Sequence, residues 1–197
     1  MYELDRYVLD FSQLTVPFTK EQLFELCVTN KKMAIEWSAK KELIIMPPTG
    51  TETGSYELNA GSILWNWAKR TGLGIGFSSS AGFTMPNGSM RSPDAAWITT
   101  ERWNALTKEE KKKFAPICPD FVIEIRSESQ LLKHCQEKML EWIENGCRLA
   151  WMIDSVEQKA YIYRPNKVVE IVNSFENCLK GEDVLPEFEL DLRILLT

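Results

Sequence analysis

Histidine is almost missing from this chain: His134 is the only one in 197 residues. A Ser-His-Asp or Cys-His machine would have to run on that single imidazole, and a Cys/His zinc site would have one histidine to draw on. Its place after Lys133, in a segment with helical periodicity, reads as a solvated helix position. The five cysteines, at 27, 118, 135, 147 and 178, are odd in number and none are spaced as CxxC, which removes the usual redox and zinc frameworks. No apolar run approaches the roughly 18 residues of a membrane span. The opening MYELDRYVLDF is broken by charges, unlike a secretory signal. The expectation is therefore a cytoplasmic protein with no membrane association. A basic excess is missing too: 23 Lys+Arg against 28 Asp+Glu give a formal charge of -5. That argues against a general nucleic-acid coat. It leaves room for a local basic groove, or for a site where divalent cations supply the positive charge. What remains for catalysis is carboxylate, lysine and metal chemistry.

What is present is a globular composition, 44% hydrophobic and 26% charged, without repeats or low-complexity tracts. Thr19 with Gln22 forms a capping box for a helix over 20–29. Strands are expected at 33–37 and 42–46, closed by Pro47-Pro48. A long helix over 51–70 carries Tyr56, Ala60, Ile63, Leu64 and Trp67 at helical spacing. Short strands near 74–78, 82–85 and 93–98 follow, with Pro86-Asn87-Gly88 as a turn. A charged helical insertion is expected at 101–115. Then come a strongly apolar strand at 121–125, a helix over 129–145 ended by Gly146, and strands at 148–153, 159–163 and 167–172. The tail, 181–197, reads as mostly irregular. This order implies an α/β or α+β fold with a mixed sheet flanked by helices.

Four side chains stand in costly places. Glu124 lies inside Phe121-Val122-Ile123-Glu124-Ile125, a run that reads as a strand buried on both faces. An ionised carboxylate there costs several kcal/mol unless it is paired or metal-bound. The plain alternative is an ion pair with Arg126, two residues on and on the same side of the pleat. Asp94 follows Pro93 at the start of another strand, where a turn-capping role is common. Lys138 shares a helical stripe with Leu131, Cys135 and Trp142; it either snorkels or aims its ammonium at an acidic cluster. Glu57 aligns with Gly61, Leu64 and Ala68 on the long helix, though a solvated acid near a helix start is also favoured by the dipole. Together these residues suit a hard cation such as Mg²⁺, which takes oxygen ligands, and phosphodiester hydrolysis.

The ordered set Ser92-Pro93-Asp94, Pro119–Glu124 and Lys138 resembles the Uma-type restriction-endonuclease family, the DUF820 group of the PD-(D/E)XK nuclease superfamily. The likeness extends over about 30–197, including 42–48 (ELIIMPP), Asn145-Gly146 before 148–154, and 181–188 (GEDVLPEF). It implies a restriction-endonuclease-like mixed sheet flanked by helices, preceded by an N-terminal attachment at 1–29 that carries a helix. A β-hairpin opens the core. It also implies a Mg²⁺ site, with Mn²⁺ as substitute, and a DNA endonuclease acting through a metal-bound water. Asp94 would be the principal metal ligand and Glu124 the second. The backbone carbonyl of Ile125 would be a further ligand, and Glu57 would complete the shell. Arg126 stands where the superfamily pattern has lysine, and arginine is a poor substitute. The resemblance supplies that lysine from the next helix as Lys138, completing a catalytic set of Asp94, Glu124 and Lys138. Gln136 would also face the site. Arg126 would pair with a carboxylate or a DNA phosphate. Related nucleases imply a homodimer; a methyltransferase partner is not legible.

Two other readings remain open at the sequence level. One is a catalytically silent module of the same fold that binds nucleic acid or a protein partner. The other is purely structural, with ion pairs Glu124–Arg126 and Asp94–Lys138. Candidate phosphate-binding cations are Lys69, Arg70, Arg91, Arg126 and Lys133. The lysine run 111–113 reads as a solvated helix face. The tryptophans read mostly as core, with Trp103 the one expected to be exposed.

Overall fold

A computed structural model describes residues 6–15 and 18–196. Residues 1–5, 16, 17 and 197 lie outside it, and with them parts of the expected N-terminal attachment and tail. The chain begins with strand β1 (Tyr7–Asp10) and helix α1 (Lys20–Thr29). Next come β2 (Ala34–Trp37), β3 (Glu42–Met46) and the long helix α2 (Thr51–Thr71). Strands β4 (Gly74–Ser78), β5 (Phe83–Thr84), β6 (Met90–Arg91) and β7 (Ala95–Thr99) lead into two short helices, α3 (Thr100–Asn104) and α4 (Lys108–Lys111). Strand β8 (Phe121–Arg126), helix α5 (Leu132–Glu144) and β9 (Leu149–Asp154) form the centre. Strands β10 (Lys159–Tyr163), β11 (Glu170–Val172), β12 (Cys178–Lys180) and β13 (Glu189–Asp191) follow, and a 3-10 turn, Leu192–Leu195, closes the described chain.

Local chemistry accounts for the helix ends. The capping box is made: Gln22 N–H donates to Thr19 Oγ1 at 3.2 Å, and Thr19 N–H donates to Gln22 Oε1 at 2.9 Å. α2 stops at Gly72, whose φ of 68° is a left-handed conformation that glycine adopts without a Cβ penalty. α5 starts three residues later than the spacing predicts, at Leu132, because residues 127–131 are drawn into a turn. There Ser127 N–H donates to Gln130 Oε1 and Gln130 N–H to Ser127 O. The expected helical insertion at 101–115 breaks into α3 and α4. Ala115 then runs back to the sheet, where Thr84 N–H donates to its carbonyl.

Six strands form the main sheet in the order β11-β10-β9-β8-β7-β4. β8 and β9 are parallel, joined by α5 as crossover, and the other neighbours are antiparallel. Strand alternation sends Ala95, Trp97, Phe121, Ile123, Leu149 and Trp151 to one face, under α2 and the C-terminal segment. It sends Ala96, Ile98, Val122, Ala150 and Met152 to the other, under Met139 and Trp142 of α5. The tail is more ordered than expected. β12 pairs with β13, and Leu185, Phe188, Leu190, Leu192 and Leu195 are buried against the α2 layer. A second sheet, in the order β1-β3-β2-β6-β5, holds the hairpin β2–β3. Leu23 of α1 packs there with Trp37, Leu43 and Met90.

Candidate active site

The site begins where one strand stops and its neighbour continues. β7 pairs with β8 from Trp97↔Phe121 to Ala95↔Ile123. Pro93, which has no N–H to offer a ladder, precedes Asp94 at that end. β8 continues to Arg126 with only β9 beside it. Beyond Ile123, the β7-facing edge of β8 is therefore open. Asp94 fills part of the opening: its Oδ2 accepts the Ile125 N–H at 2.6 Å. A strand residue's N–H and C=O project to the same edge, so the Ile125 carbonyl faces this opening too.

Glu124 points to the α5 face and is 9% exposed. Its Oε1 accepts from Trp142 Nε1 and from Lys138 Nζ, both at 2.9 Å, and its Oε2 accepts from Lys138 Nζ at 3.0 Å. Lys138 does not snorkel. Its Nζ also donates to the Ser92 carbonyl at 3.0 Å and to Glu36 Oε1 at 2.9 Å. Glu36, on β2, is the functional candidate that the sequence reading missed. It is buried, and it accepts from Arg91 Nη1 at 2.9 Å and from Ser92 N–H at 3.0 Å. An acid between Ile35 and Trp37 is the same signal that marked Glu124. A four-residue hairpin strand, however, commonly has one wet face, so the signal looked ordinary.

Glu57 reaches the opening from the other side. α2 covers the face of the sheet opposite α5, and Gly61 of α2 passes close enough to Ala95 that a Cβ would touch it at 4.0 Å. Burial raises the Asp94 carboxyl to about 7, with the Glu57 charge as the next cause. Burial likewise lifts Glu124 to about 8; the charges of Asp94 and Glu36 add to this, and Lys138 works against it. Glu57 is raised by burial and by the Glu124 charge. Burial alone would lower the Lys138 ammonium, but Glu124, Glu36 and Asp94 together hold it above its ordinary value. Burial also works to raise Glu36, yet Lys138 and Arg91 pull it below the usual range. Two cavities flank the opening. One of about 420 Å³ is lined by Glu36, Glu124, Arg126 and Lys138, and one of about 330 Å³ by Glu57 and Asp94.

The donor set suits a hard cation. Three carboxylates and a backbone carbonyl are oxygen ligands of the kind Mg²⁺ and Mn²⁺ take, and the lifted carboxyls mark negative charge that a cation would relieve. As folded, no three acidic, histidine or cysteine side chains among the described residues stand close enough to enclose an ion. Lys138 occupies both oxygens of Glu124, and Asp94 spends one on Ile125.

Several expectations need correction. Arg91 lines the larger cavity, but its guanidinium is spent on carboxylates: it is buried, with Nε at 2.7 Å and Nη2 at 2.6 Å from Glu141 Oε2 and Nη1 on Glu36. Arg126 does pair with a carboxylate, but that of Asp154 on the neighbouring strand at 2.9 Å and not Glu124, and its Nε donates to the Gln130 carbonyl. Lys138 pairs with Glu124 and Glu36 rather than directly with Asp94. Gln136 lines neither cavity. His134 is half-buried at the larger cavity, not simply solvated. Trp103 is part-buried, 5.0 Å from the Phe77 ring, and the exposed tryptophan is Trp65, at 51%.

Residues 20–193 match a family described as Uma2, putative restriction endonuclease. The fold is similar to that of a solved "putative nuclease belonging to DUF820" from Anabaena variabilis ATCC 29413. The TM-score is 0.74 at 21% identity, covering 91% of this chain and 97% of that one. A weaker likeness, with a TM-score of 0.37 at 15% identity, is to a DrdV–DNA complex; it covers 58% of this chain and 9% of that one. No curated protein matches. Among the described residues, no helix is long and apolar enough to cross a membrane.

Proposed function

The chain belongs to the Uma2 family of putative restriction endonucleases, and from that premise we propose that it is a divalent-metal-dependent endonuclease that hydrolyses DNA phosphodiester bonds. The observation that carries this reading is the opening beside β8. There Asp94 and Glu124, both titrating far above the ordinary carboxylate range, stand with a backbone carbonyl and a lysine. Asp94, Glu124, the Ile125 carbonyl and Glu57 would hold Mg²⁺ or Mn²⁺. When bound, the ion would activate water and offset charge on the scissile phosphate. Trp142 and the Ile125 amide fix one oxygen each of Glu124 and Asp94, so the two acids are oriented before substrate arrives. Lys138 stays protonated, because its carboxylate neighbours hold its pKa up. It therefore serves as a positive charge on the phosphate and not as a base. Residues 30–197 form the catalytic unit, with 1–29 as an attachment. A two-fold dimer would present two such sites to the two strands of a duplex.

One observation favours a second reading, the silent nuclease-fold module. Lys138 and Arg91 bridge Glu36, Glu124 and Glu141, so these cations already neutralise the acids. Cleavage of supercoiled plasmid and branched DNA with Mn²⁺ or Mg²⁺ separates the two. Nicking by the wild type that is lost with EDTA and in Lys138→Ala supports the enzyme. Absence of nicking on both substrates leaves the module.

A further inference from the structure

The cavity on the α2 side has an end that the acids do not use. Gly54, Leu58, Gly61 and Trp65 recur at i, i+4, i+7 and i+11 along α2, which places them on one stripe. The buried stripe of the same helix is a different one, through Tyr56, Ala60, Leu64 and Trp67. Leu58 is 69% exposed and Trp65 51%, and all four residues of the outer stripe line the cavity of about 330 Å³ together with Gly76, Ser78, Glu57 and Asp94. That volume is within the roughly 300–1,000 Å³ of small-ligand clefts. Nothing lies within 4 Å of where a Cβ of Gly54 would stand, so a flat group can approach that turn of the helix closely, while Gly76 brings its strand against Trp65. Gly76 lies on β4, the edge strand of the main sheet. Lys69 holds its Nζ 5.5 Å from the centre of the Trp65 ring, and Arg70 follows it.

We infer that this cleft is a nucleobase-stacking subsite, in which the Trp65 ring takes an unpaired base of the strand whose scissile phosphate lies at Asp94 and Glu57. Three features point to a base rather than to another apolar group. The cavity is continuous from Trp65 to the two acids. The Lys69 ammonium stands over the ring, twelve helix residues on from Glu57, where it can meet a phosphate. Hydroxyls such as that of Ser78 line the wall, where they can meet a base edge. Eight residues of helix separate Glu57 from Trp65, about 12 Å along the axis. That is the length of roughly three to four stacked nucleotides at ~3.4 Å each. Stacking reads the π-face that every base presents, so the subsite holds the strand in register without selecting a sequence.

The inference rests on the nuclease reading, and the test keeps the two apart. The full chain in EDTA is titrated with a short single-stranded oligodeoxynucleotide and with its abasic counterpart, following tryptophan emission and anisotropy. Trp65 is the exposed tryptophan, so base stacking quenches emission, and the base-bearing strand binds about tenfold or more tightly than the abasic one. Trp65→Ala removes both the quench and the difference, and Trp65→Tyr restores the difference. Equal affinity for the two strands in the wild type overturns the subsite, as does an unchanged preference in Trp65→Ala. So does a Trp65→Ala chain that changes only its sedimentation, which would make this face a contact between copies. Metal-dependent cleavage with no Trp65 effect removes the subsite alone. A Trp65-dependent base preference without cleavage under Mn²⁺ removes the nuclease reading alone.

Discussion

Lys138 is the residue on which most of the site's charge converges, because its ammonium is shared by Glu124, Glu36 and the Ser92 carbonyl. Replacing it with Met keeps the stem and leaves two buried acids facing each other. The expected loss is about 3–5 kcal/mol in urea unfolding at neutral pH, and it shrinks as the pH is lowered and the acids take up protons. Glu36→Gln is the milder change. It keeps the shape, removes one charge, and leaves Glu124 as the one carboxylate on Lys138. Stability is expected to fall by about 1–3 kcal/mol, and Mn²⁺ affinity in calorimetry falls too, because the lysine then competes harder for Glu124. An unchanged Mn²⁺ affinity would mean that Glu36 only supports the fold. Residues out of place for their element were readable from the sequence alone: an acid inside the apolar run 121–125 and a lysine in the Trp142 stripe. Glu36 and Asp154 were not, since what distinguishes each is a partner far away in the chain, Lys138 and Arg126 respectively.

At the scale of elements, the opening beside β8 exists because β7 begins only at Ala95, just past Asp94, while β8 runs on beyond its partner Ile123. The position of β7 is itself fixed by its antiparallel partner β4, where Gly74 lies against Trp97 and the Ile98 carbonyl. A Cβ there would collide with that carbonyl and with the Trp97 ring, both closer than any side chain tolerates. Gly74→Ala is expected to cost about 1–3 kcal/mol or more, a drop of about 2–4 °C in Tm per kcal/mol for a chain of this size, read by thermal melting. Elements set by local chemistry agreed with expectation: the Thr19 capping box opens α1 at Lys20, and α2 covers the expected 51–70 and runs one residue further, to Thr71. Those set by distant contacts did not. The charged segment at 101–115 has no apolar face long enough to hold one helix and so splits. The tail has no clear periodicity, yet it is pinned by Phe188 stacking on Trp151, 5.7 Å between ring centres.

For the whole molecule, the site sets the sign of a pH dependence. Burial lifts Asp94 and Glu124 to about 7 and about 8 in the folded chain, from ordinary values of 3.8 and 4.5. Between about pH 4 and 8 the folded state therefore holds more protons at these groups than the unfolded state does. Their contribution favours folding at low pH and is lost as pH rises through that window. Glu36, whose folded pKa is lowered, contributes in the opposite sense and is lost as pH falls. Melting curves should show a Tm that falls from pH 5 to 8 in EDTA. Mn²⁺ should raise it more at pH 8 than at pH 5, since protons and the ion compete for the same oxygens. Glu124→Gln should flatten the EDTA profile; a profile unchanged by that substitution would place the titrating groups elsewhere. The measurement that bears most directly on the proposed ion site is calorimetric titration of the full chain with Mn²⁺, run on the wild type and on Asp94→Asn. A saturable binding event in the wild type that is absent from a folded Asp94→Asn chain is the expected result. Identical isotherms from the two proteins, or no heat of binding from the wild type, would contradict it.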